Sequence, residues 1–293
     1  MQVCVTHAPS TPSYTVSFHG RGGVNQSHNR RSDGAVARAN QKDVDAGLKE
    51  HIREGGHYEI WIDKSPKEAL KEKLDPVIEK YNSQQKRKDR HYTVEKEIAR
   101  YNSKGNTKDG MVRECIITLG NVANRPDDAE CRRFLYRSLK EFQKKNKDFA
   151  ICGAYYHADE PRSAPHLHID YIPLHKKRKR GLDLQIGMSG ALEDMGYTQA
   201  SYQSRADRTN GALTQWDNDM RDTLHDLAHD MGISTTRGGS VGRTHERTRD
   251  YKVMEMKREI ERQRTIERPT VSRWDSDRNN RSRTWDRSYD FER

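Results

Sequence analysis

His157-Ala158-Asp159-Glu160 and Pro165-His166-Leu167-His168-Ile169-Asp170 form the stretch of this chain that decides its fold and its chemistry. Residues two apart in an extended strand point to the same face, so the side chains of His166 and His168 can reach one divalent metal ion. Apolar residues alternate with the two histidines, as expected of a strand that buries its other face.

A second predicted strand ends at the first of these histidines. Residues 149–156 read Phe-Ala-Ile-Cys-Gly-Ala-Tyr-Tyr and lead directly into His157. If this strand pairs with the next one, His157 comes to lie beside His166 and His168. Three imidazole ligands leave coordination positions open, which distinguishes a catalytic metal centre from a closed structural one. The pattern therefore predicts a metal-dependent enzyme.

The alternative is that the two histidines are an ordinary surface pair, the more common case for an isolated His-x-His. A third histidine and Glu160 at the end of the preceding strand favour the metal site. Imidazole ligands suit zinc, copper, nickel, iron and manganese, and a nearby carboxylate favours harder ions. The pattern alone leaves the choice of metal open.

Composition points to a polyanionic partner. The 293-residue chain carries 54 Lys and Arg residues against 44 Asp and Glu residues, a formal net charge of +10. Such a basic balance favours nucleic acid. Only 32% of residues are hydrophobic, which predicts that part of the chain does not pack into a core.

Cysteine usage and hydropathy favour a cytoplasmic protein. Cys4, Cys115, Cys131 and Cys152 show no CxxC spacing, and we find no signal peptide, so we expect free thiols in a reducing compartment. No stretch approaches the roughly 18 apolar residues that a membrane span requires, and no span is expected.

The periodicity predicts an α+β fold, an antiparallel sheet with helices on one face. Strands are predicted over residues 14–19, 57–62, 111–120, 149–156 and 166–172. Helices are predicted over residues 66–81, 126–146, 184–195 and 213–231. Residues 83–108 are strongly charged and are expected to form exposed helix and loop.

Four segments are predicted along the chain: a flexible leader over residues 1–12, a catalytic domain over 13–235, a charged helical extension over 236–266, and a disordered basic tail over 267–293. The tail is rich in Arg, Asp and Ser and has no apolar periodicity. It cannot bury enough surface to offset the entropy of ordering.

A second candidate cluster, Ser27-His28-Asn29-Arg30-Arg31, follows the Gly-rich turn after the first strand. A histidine with an arginine three residues later can place a nucleophile beside a guanidinium that clamps phosphate. By composition alone the segment is also typical of a solvated loop. Tyrosine is the competing nucleophile, and the candidates near the predicted strands are Tyr14, Tyr155 and Tyr156. Tyrosines in such positions more often pack in the core or on the surface than take part in catalysis.

The two clusters, in this order and spacing, resemble the MobV family of plasmid mobilisation relaxases, also called Pre/Mob plasmid recombination enzymes. Residues 79–90, 181–183 and 191–197 are similar to segments of members from mobile elements of Gram-positive bacteria. The resemblance covers residues 14–233. The link between Glu160 and Pro165 is longer than in the family pattern, which predicts a longer turn that leaves the triad intact.

The resemblance implies an HUH endonuclease with a five-stranded antiparallel sheet. It also implies a divalent metal ion, Mn²⁺ or Mg²⁺, held by His157, His166 and His168. Members nick one DNA strand at an origin of transfer and stay attached to its 5′ end. The expected partners are therefore single-stranded or hairpin origin DNA and the conjugation coupling machinery of the bacterial cytoplasm.

The family's proposed nucleophile, a histidine in an HxxR motif, corresponds to His28 with Arg31. The neutral imidazole of His28 would attack phosphorus. Arg31 would hold a phosphate oxygen, and Glu160 would accept a proton or orient a ligand histidine.

DNA contacts are expected from Arg30 and from two basic runs, Lys86-Arg87-Lys88 and Lys176-Lys177-Arg178-Lys179-Arg180. A solvated face is the alternative for such runs. Three other functions compete. A metal-dependent hydrolase of a small substrate explains the triad but not the charge, and a DNA-binding protein without chemistry explains the charge but not the triad. A replication or transposition nuclease of the HUH class would use tyrosine.

Overall fold

A computed structural model describes most of the chain up to residue 236. The described residues are 12–22, 24–32, 34, 36–38, 41–42, 56–103, 110–160, 163–176, 181–197 and 211–236. All of them belong to one compact unit, Met1–Gly242. The predicted charged extension and basic tail lie outside the described residues, so the division into four segments stays a prediction. None of the helices in the described part is long and apolar enough to cross a membrane.

Strands and helices follow one another along the described chain. The strands are β1 (Tyr14–Gly22), β2 (Tyr58–Asp63), β3 (Arg113–Leu119), β4 (Ala150–His157), β5 (His166–Ile172), β6 (Leu174–Lys176), β7 (Leu184–Ile186) and β8 (Thr235–Thr236). The α-helices are α1 (Gln26–Asn29), α2 (Pro66–Ser83), α3 (Val94–Asn102), α4 (Asp128–Lys145), α5 (Met188–Asp194) and α6 (Ala212–Asp230), with a 3-10 turn at Lys88–Arg90. As predicted, Ser65 begins α2: it forms a capping box with Glu68, and Pro66 follows it.

Six strands form one mixed sheet in the order β2-β4-β5-β3-β1-β8. The strands from β2 to β1 pair antiparallel, which confirms the predicted five-stranded antiparallel sheet and the α+β class. The two-residue β8 adds a parallel pairing with the start of β1, which no local pattern indicated. Strands β6 and β7 form a separate antiparallel pair.

One face of the sheet packs against α4 and α6. The centre of this cluster is Trp216 of α6, whose ring centroid lies 5.2 Å from Phe18 of β1 and 6.3 Å from Phe142 of α4. Its Nε1–H donates to the side-chain oxygen of Asn146 at 2.9 Å. Tyr171 of β5 packs against the same rings, so the aromatic cluster joins the sheet to both helices.

The opposite face of the sheet is divided along the length of β5. Ile172 packs with Leu70 of α2 in a second buried cluster, which also contains residues of α3. The alternation of β5 places His166 and His168 on the same face as Ile172, at the other end of the strand. There the short helix α1 approaches the sheet through Asn29. The prediction of helices on one face only was therefore wrong, because α2 and α3 bury apolar residues against the second face.

Helix α3 corrects the expectation that residues 83–108 are exposed. Its Val94 and Tyr101 are buried, and so is the carboxylate of Glu97. Glu97 accepts hydrogen bonds from the Arg100 guanidinium and from the main-chain N–H of Ile186. A charged segment can pack inward here because its buried charge is paired.

Residues 184–195 also differ from the single predicted helix. They form β7 and then α5, with Gly187 between them. Leu174 of β6 pairs with Ile186, and Lys176 pairs with Leu184. Pairing with a strand earlier in the chain outweighed the helical periodicity of the segment.

Substitution of Trp216 tests how strongly the aromatic cluster holds the sheet to its helices. Trp216→Ala is expected to lower the free energy of unfolding by about 3–5 kcal/mol, because it leaves a large cavity. Trp216→Phe keeps a ring but loses the bond to Asn146, so a smaller loss is expected. Urea denaturation measures both, with Tyr136→Ala, on an exposed face of α4, as the matched control. Equal losses in Trp216→Ala and the control would contradict this account.

Candidate metal centre and nucleophile

Three histidine rings meet at one end of β4 and β5. His157 and His166 are directly opposite each other in the antiparallel pair, and His168 is opposite Tyr155. The three ring centroids lie between 4.7 and 5.3 Å apart. All three histidines are buried. The structure therefore brings together the three histidines that the sequence predicts as metal ligands.

Two of these rings each have a buried nitrogen atom that makes no hydrogen bond within the described part of the chain. Nε2 of His157 is 2.9 Å from the main-chain oxygen of Asn29, and Nδ1 of His168 is 2.9 Å from Oε1 of Glu114. These acceptors place the ring proton on those nitrogens. Among the described residues, the other nitrogens, Nδ1 of His157 and Nε2 of His168, have no hydrogen-bond partner. Buried lone pairs of this kind fit a metal ion.

His166 follows the same arrangement. Its Nδ1 is 2.9 Å from the main-chain oxygen of Ala164, which places the ring proton there. Its Nε2 faces the cluster, 3.4 Å from Oε1 of Glu160. Each of the three rings is thus oriented by one acceptor and presents one lone pair to the space between them.

Burial keeps two of these rings neutral, which is the form that binds metal ions. Desolvation lowers the pKa of His157. It also lowers the pKa of His168 to about 4, against the opposing effect of the hydrogen bond to Glu114. Both imidazoles therefore have a free lone pair at neutral pH.

His28 and Glu160 lie close to two of these rings, those of His157 and His168. One potential ligand atom from each of His28, His157, Glu160 and His168 lies within 4.8 Å of the others. Nε2 of His28 is 2.9 Å from Oε1 of Glu160, and the same oxygen is 3.5 Å from Nδ1 of His157. The long link that follows Glu160 has not moved its carboxylate away from the histidines.

The Glu160 carboxylate supplies negative charge at the centre of this group. Burial acts to raise its pKa, but the adjacent imidazoles of His166, His157 and His28 outweigh that effect. The pKa of Glu160 therefore lies well below its usual range. An ionised carboxylate beside three imidazoles is a donor set that suits a divalent cation.

Arg31 connects α1 to the turn that carries Glu160. Its φ of 59° is in the left-handed region, which is uncommon for a residue other than glycine. Its Nε and Nη2 donate to the two carboxylate oxygens of Asp159 at 2.9 and 2.6 Å, and Nη2 also reaches Glu160 at 3.1 Å. Its Nη1 donates to the main-chain oxygen of His28 at 3.1 Å. With 6% of the side chain exposed, the guanidinium is a buried bridge.

A buried polar network, which sequence reasoning missed, supports His168 from behind. The side-chain amide of Asn29 donates to Glu114 at 2.8 Å and to Asp170 at 3.1 Å. Hydrogen bonds from His168 and Asn29 lower the pKa of Glu114 in spite of its burial. Burial and the charge of Glu114 raise the pKa of Asp170 to about 7. One signal was available: Glu114 is a charged residue within a strand predicted to be in the core.

Gly56 allows the turn after β4 to lie where it does. A Cβ atom at this position would lie 2.6 Å from Cα of Asp159 and 2.8 Å from the main-chain oxygen of Ala158. Both neighbours are backbone atoms, so a larger residue would displace Asp159 and the ion pair that it makes with Arg31. The sequence alone did not indicate this requirement.

The tyrosines proposed as competing nucleophiles are engaged elsewhere. The hydroxyl of Tyr155 donates to Asp63 at 2.9 Å, and burial raises its pKa. Tyr156 is fully buried in the helix-covered core, and Tyr14 lies at the β1–β8 edge of the sheet. Their positions favour packing roles.

The predicted DNA-binding residues lie on different parts of the surface. The Arg30 guanidinium donates to Asp63 at 2.6 and 2.9 Å, with 35% of its side chain exposed. Lys86, Arg87 and Lys88 are exposed, and Arg87 pairs with Asp89. Lys176, at the end of β6, is exposed. Residues 177–180 of the second run lie outside the described residues.

Comparison with known proteins decides the family. The family model Mob_Pre, described as plasmid recombination enzyme, matches residues 36–253 of the 293-residue chain. The chain belongs to this family. Membership of Mob_Pre confirms the predicted family, that of the plasmid recombination enzymes. His28 and Arg31 precede the matched residues, so the match does not bear on the nucleophile.

Two solved structures are similar to this Mob_Pre chain. Both are the MobM relaxase domain bound to plasmid pMV158 oriT DNA in Mn-bound crystal structures, at pH 4.6 and at pH 5.5. The first is 15% identical, with 82% of this chain and 99% of that chain covered and a TM-score of 0.39. The second is 16% identical, with 84% and 98% covered and a TM-score of 0.35. A comparison with curated proteins found no match.

Substitution of Asn29 tests whether the buried network supports the metal centre. Asn29→Ala removes the amide that holds Glu114 against His168, but keeps the main-chain oxygen that orients His157. We expect Mn²⁺ affinity to fall about 10- to 100-fold, as for other partners of metal-binding histidines. Titration calorimetry measures the change, with Asn218→Ala, on an exposed part of α6, as the control. Unchanged Mn²⁺ affinity in Asn29→Ala would show that the buried network does not support the metal centre.

Proposed function

We propose that this enzyme nicks and rejoins one DNA strand at a plasmid origin of transfer, through a covalent bond between the 5′ phosphate and His28. The observation that carries the proposal is the shared cluster, within 4.8 Å, of ligand atoms from His28, His157 and His168. A phosphate held by the histidine triad would be within reach of an imidazole nucleophile. The reaction belongs in the bacterial cytoplasm, where plasmid DNA is found. The conjugation coupling machinery is a further proposed partner.

We assign the metal site to His157, His166 and His168, each through its inward nitrogen. The unsatisfied nitrogens of His157 and His168 support this assignment. The neighbouring Glu160 carboxylate favours Mn²⁺ or Mg²⁺ over softer ions. When bound, the ion would act as a Lewis acid on a non-bridging phosphate oxygen.

His28 supplies the nucleophile. Its Nε2 faces the cluster, 2.9 Å from Oε1 of Glu160, and the attack uses the neutral tautomer with its lone pair on Nε2 and its proton on Nδ1. As the bond from Nε2 to phosphorus forms, the bond from phosphorus to the 3′ oxygen breaks, and that oxygen takes a proton from water. The ring returns its Nδ1 proton to water, so atoms and charge balance. The same steps in reverse rejoin the strand.

Glu160 and Arg31 position the nucleophile. Oε1 of Glu160, 2.9 Å from Nε2, offsets the positive charge that the ring gains during attack. Arg31 ties the main chain of His28 to Asp159. The Arg31 guanidinium already bonds two carboxylates. We therefore propose that Arg31 mainly positions His28 through these ion pairs, and that its contact with phosphate is a lesser role.

DNA affinity beyond the scissile phosphate is proposed to come from basic residues. Arg30, next to the site, is the nearest candidate in sequence to His28 and keeps part of its guanidinium exposed. The exposed Lys86-Arg87-Lys88 run and the run beginning at Lys176 would add phosphate contacts. Each lost contact should reduce the salt slope of single-strand binding by about 0.7.

The metal requirement is tested by His166→Ala. The variant is expected to lose nicking of supercoiled plasmid, as is wild-type protein with chelator, while single-strand binding persists on the basic surface. The control is His229→Ala, on an exposed position of α6, which should nick normally. Nicking at the wild-type rate by His166→Ala would refute the triad. Binding without any nicking by wild-type protein would favour a non-enzymatic DNA-binding protein.

The nucleophile is tested by the chemistry of the DNA adduct. His28→Ala should form no covalent adduct with a nicked strand, whereas wild-type protein should form one through a phosphorus–nitrogen bond. Such a bond is lost in mild acid and survives alkali, the reverse of a serine ester. Denaturing gels before and after acid treatment, with mass spectrometry of the adduct, give the answer. An acid-stable adduct, or one on Tyr14 or Tyr155, would move the chemistry to tyrosine.

A further inference from the structure

The edge strand β2 places two exposed apolar side chains beside the histidine cluster. Tyr58 is the cross-strand partner of His157, and Ile60 is the partner of Tyr155. Directly paired residues of antiparallel strands share a face of the sheet, with Cβ atoms about 4.5–5.5 Å apart. Tyr58 and Ile60, the edge platform, therefore lie on the same face as the triad and next to it.

The other residues of β2 confirm which face the edge platform occupies. Trp61 stacks on Tyr156 with a centroid separation of 5.5 Å and an interplanar angle of 6°. Tyr156 belongs to the core between the sheet and helices α4 and α6. Trp61 is therefore on the opposite face of the sheet from the triad. Glu59 pairs with Tyr156 and accepts a hydrogen bond from Nε1 of Trp61. The alternation leaves Tyr58 and Ile60 on the histidine face.

The edge platform is exposed although its residues are apolar. Tyr58 is 45% exposed and Ile60 is 47% exposed. Among the described residues, only Val122 and Tyr136 are other large apolar side chains with comparable exposure. Two such residues at alternate positions of one strand form a continuous surface, and surfaces of this kind commonly mark a binding site.

We propose that the edge platform stacks an unpaired base of the DNA strand next to the scissile phosphate. The inference rests on the proposed function, because the phosphate position is set by the triad. Because Tyr58 and His157 are directly paired across β2 and β4, a base next to a phosphate held at His157 would be within reach of the Tyr58 ring. Its partner is single-stranded DNA, since only an unpaired base has both faces free to stack on a tyrosine ring.

Charge and shape favour this occupant over a protein partner. The chain has a formal net charge of +10, so an anionic strand is attracted to it as a whole. Arg30, the residue that follows α1, keeps 35% of its side chain exposed and can meet a backbone phosphate. Stacking on an aromatic ring with basic groups nearby is the usual composition of a single-strand binding surface.

The experiment compares four full-length proteins: wild type, Tyr58→Ala, Tyr58→Phe and Tyr136→Ala. Fluorescence anisotropy measures their binding to labelled oligo(dT), which has no origin of transfer to be cleaved, and to a duplex of the same length, with Mn²⁺ present in both cases. Tyr58→Ala is expected to weaken oligo(dT) binding about 5- to 100-fold, with duplex binding unchanged. Tyr58→Phe, which keeps the ring, should bind within about twofold of wild type, since stacking needs no hydroxyl. Tyr136 of α4 packs against Trp61, on the opposite face of β2 from the edge platform, so Tyr136→Ala should bind normally.

Several results would overturn the edge platform. One is oligo(dT) binding by Tyr58→Ala that equals that of wild type, and another is a loss of duplex binding by the same factor as the loss of oligo(dT) binding. A loss in Tyr58→Phe equal to that in Tyr58→Ala would assign the effect to the hydroxyl instead of stacking. Plasmid nicking by the same wild-type preparation separates the two proposals: nicking with no effect of Tyr58→Ala rejects only the platform, whereas absence of both nicking and oligo(dT) binding rejects the proposed function as well.

Discussion

The antiparallel register between β4 and β5 is the constraint on which the rest of the site depends. It places His157 opposite His166 and leaves His168 on the same face, two residues further along β5. A slip of one residue would turn both β5 histidines into the helix-covered core and bring Leu167 and Ile169 out. The register is secured because those apolar residues are buried in the main cluster. The packing of apolar residues on one face of the sheet thus fixes the positions of the histidines on the other face.

A second layer of contacts brings the N-terminal segment to this site. Helix α1 is only four residues long and cannot hold its position by its own hydrogen bonds. It is fixed instead by Asn29, whose main-chain oxygen meets His157 and whose amide meets Glu114, and by Arg31, which pairs with Asp159. The groups that orient the candidate metal ligands are therefore the groups that place His28. Loss of one contact would disturb both parts of the site.

The helices cover only part of the sheet face that carries the histidines. Helices α2 and α3 bury the end of the sheet at Ile172, while the end with the triad meets the short α1. On one side of that end the sheet stops at β2, where Tyr58 and Ile60 are exposed. A long, flexible substrate such as a DNA strand needs a surface of this kind, since it must enter and leave past the reacting phosphate.

The sequence by itself determined the features that depend on near neighbours. Alternation along residues 166–170, a strand that ends at His157, and the Ser65 cap with Pro66 all have local signatures, and each predicted feature is present in the structure. The triad was predictable because its members come from two strands adjacent in sequence. Only the tertiary structure decided the division of helices between two faces, the β6–β7 pairing, and the contacts around the triad. The bonds from Asn29 to Glu114 and Asp170, and from Arg31 to Asp159, join residues 85 to 141 positions apart. Contacts at such separations leave no period in the chain, because they arise only when packing of the core brings distant segments together.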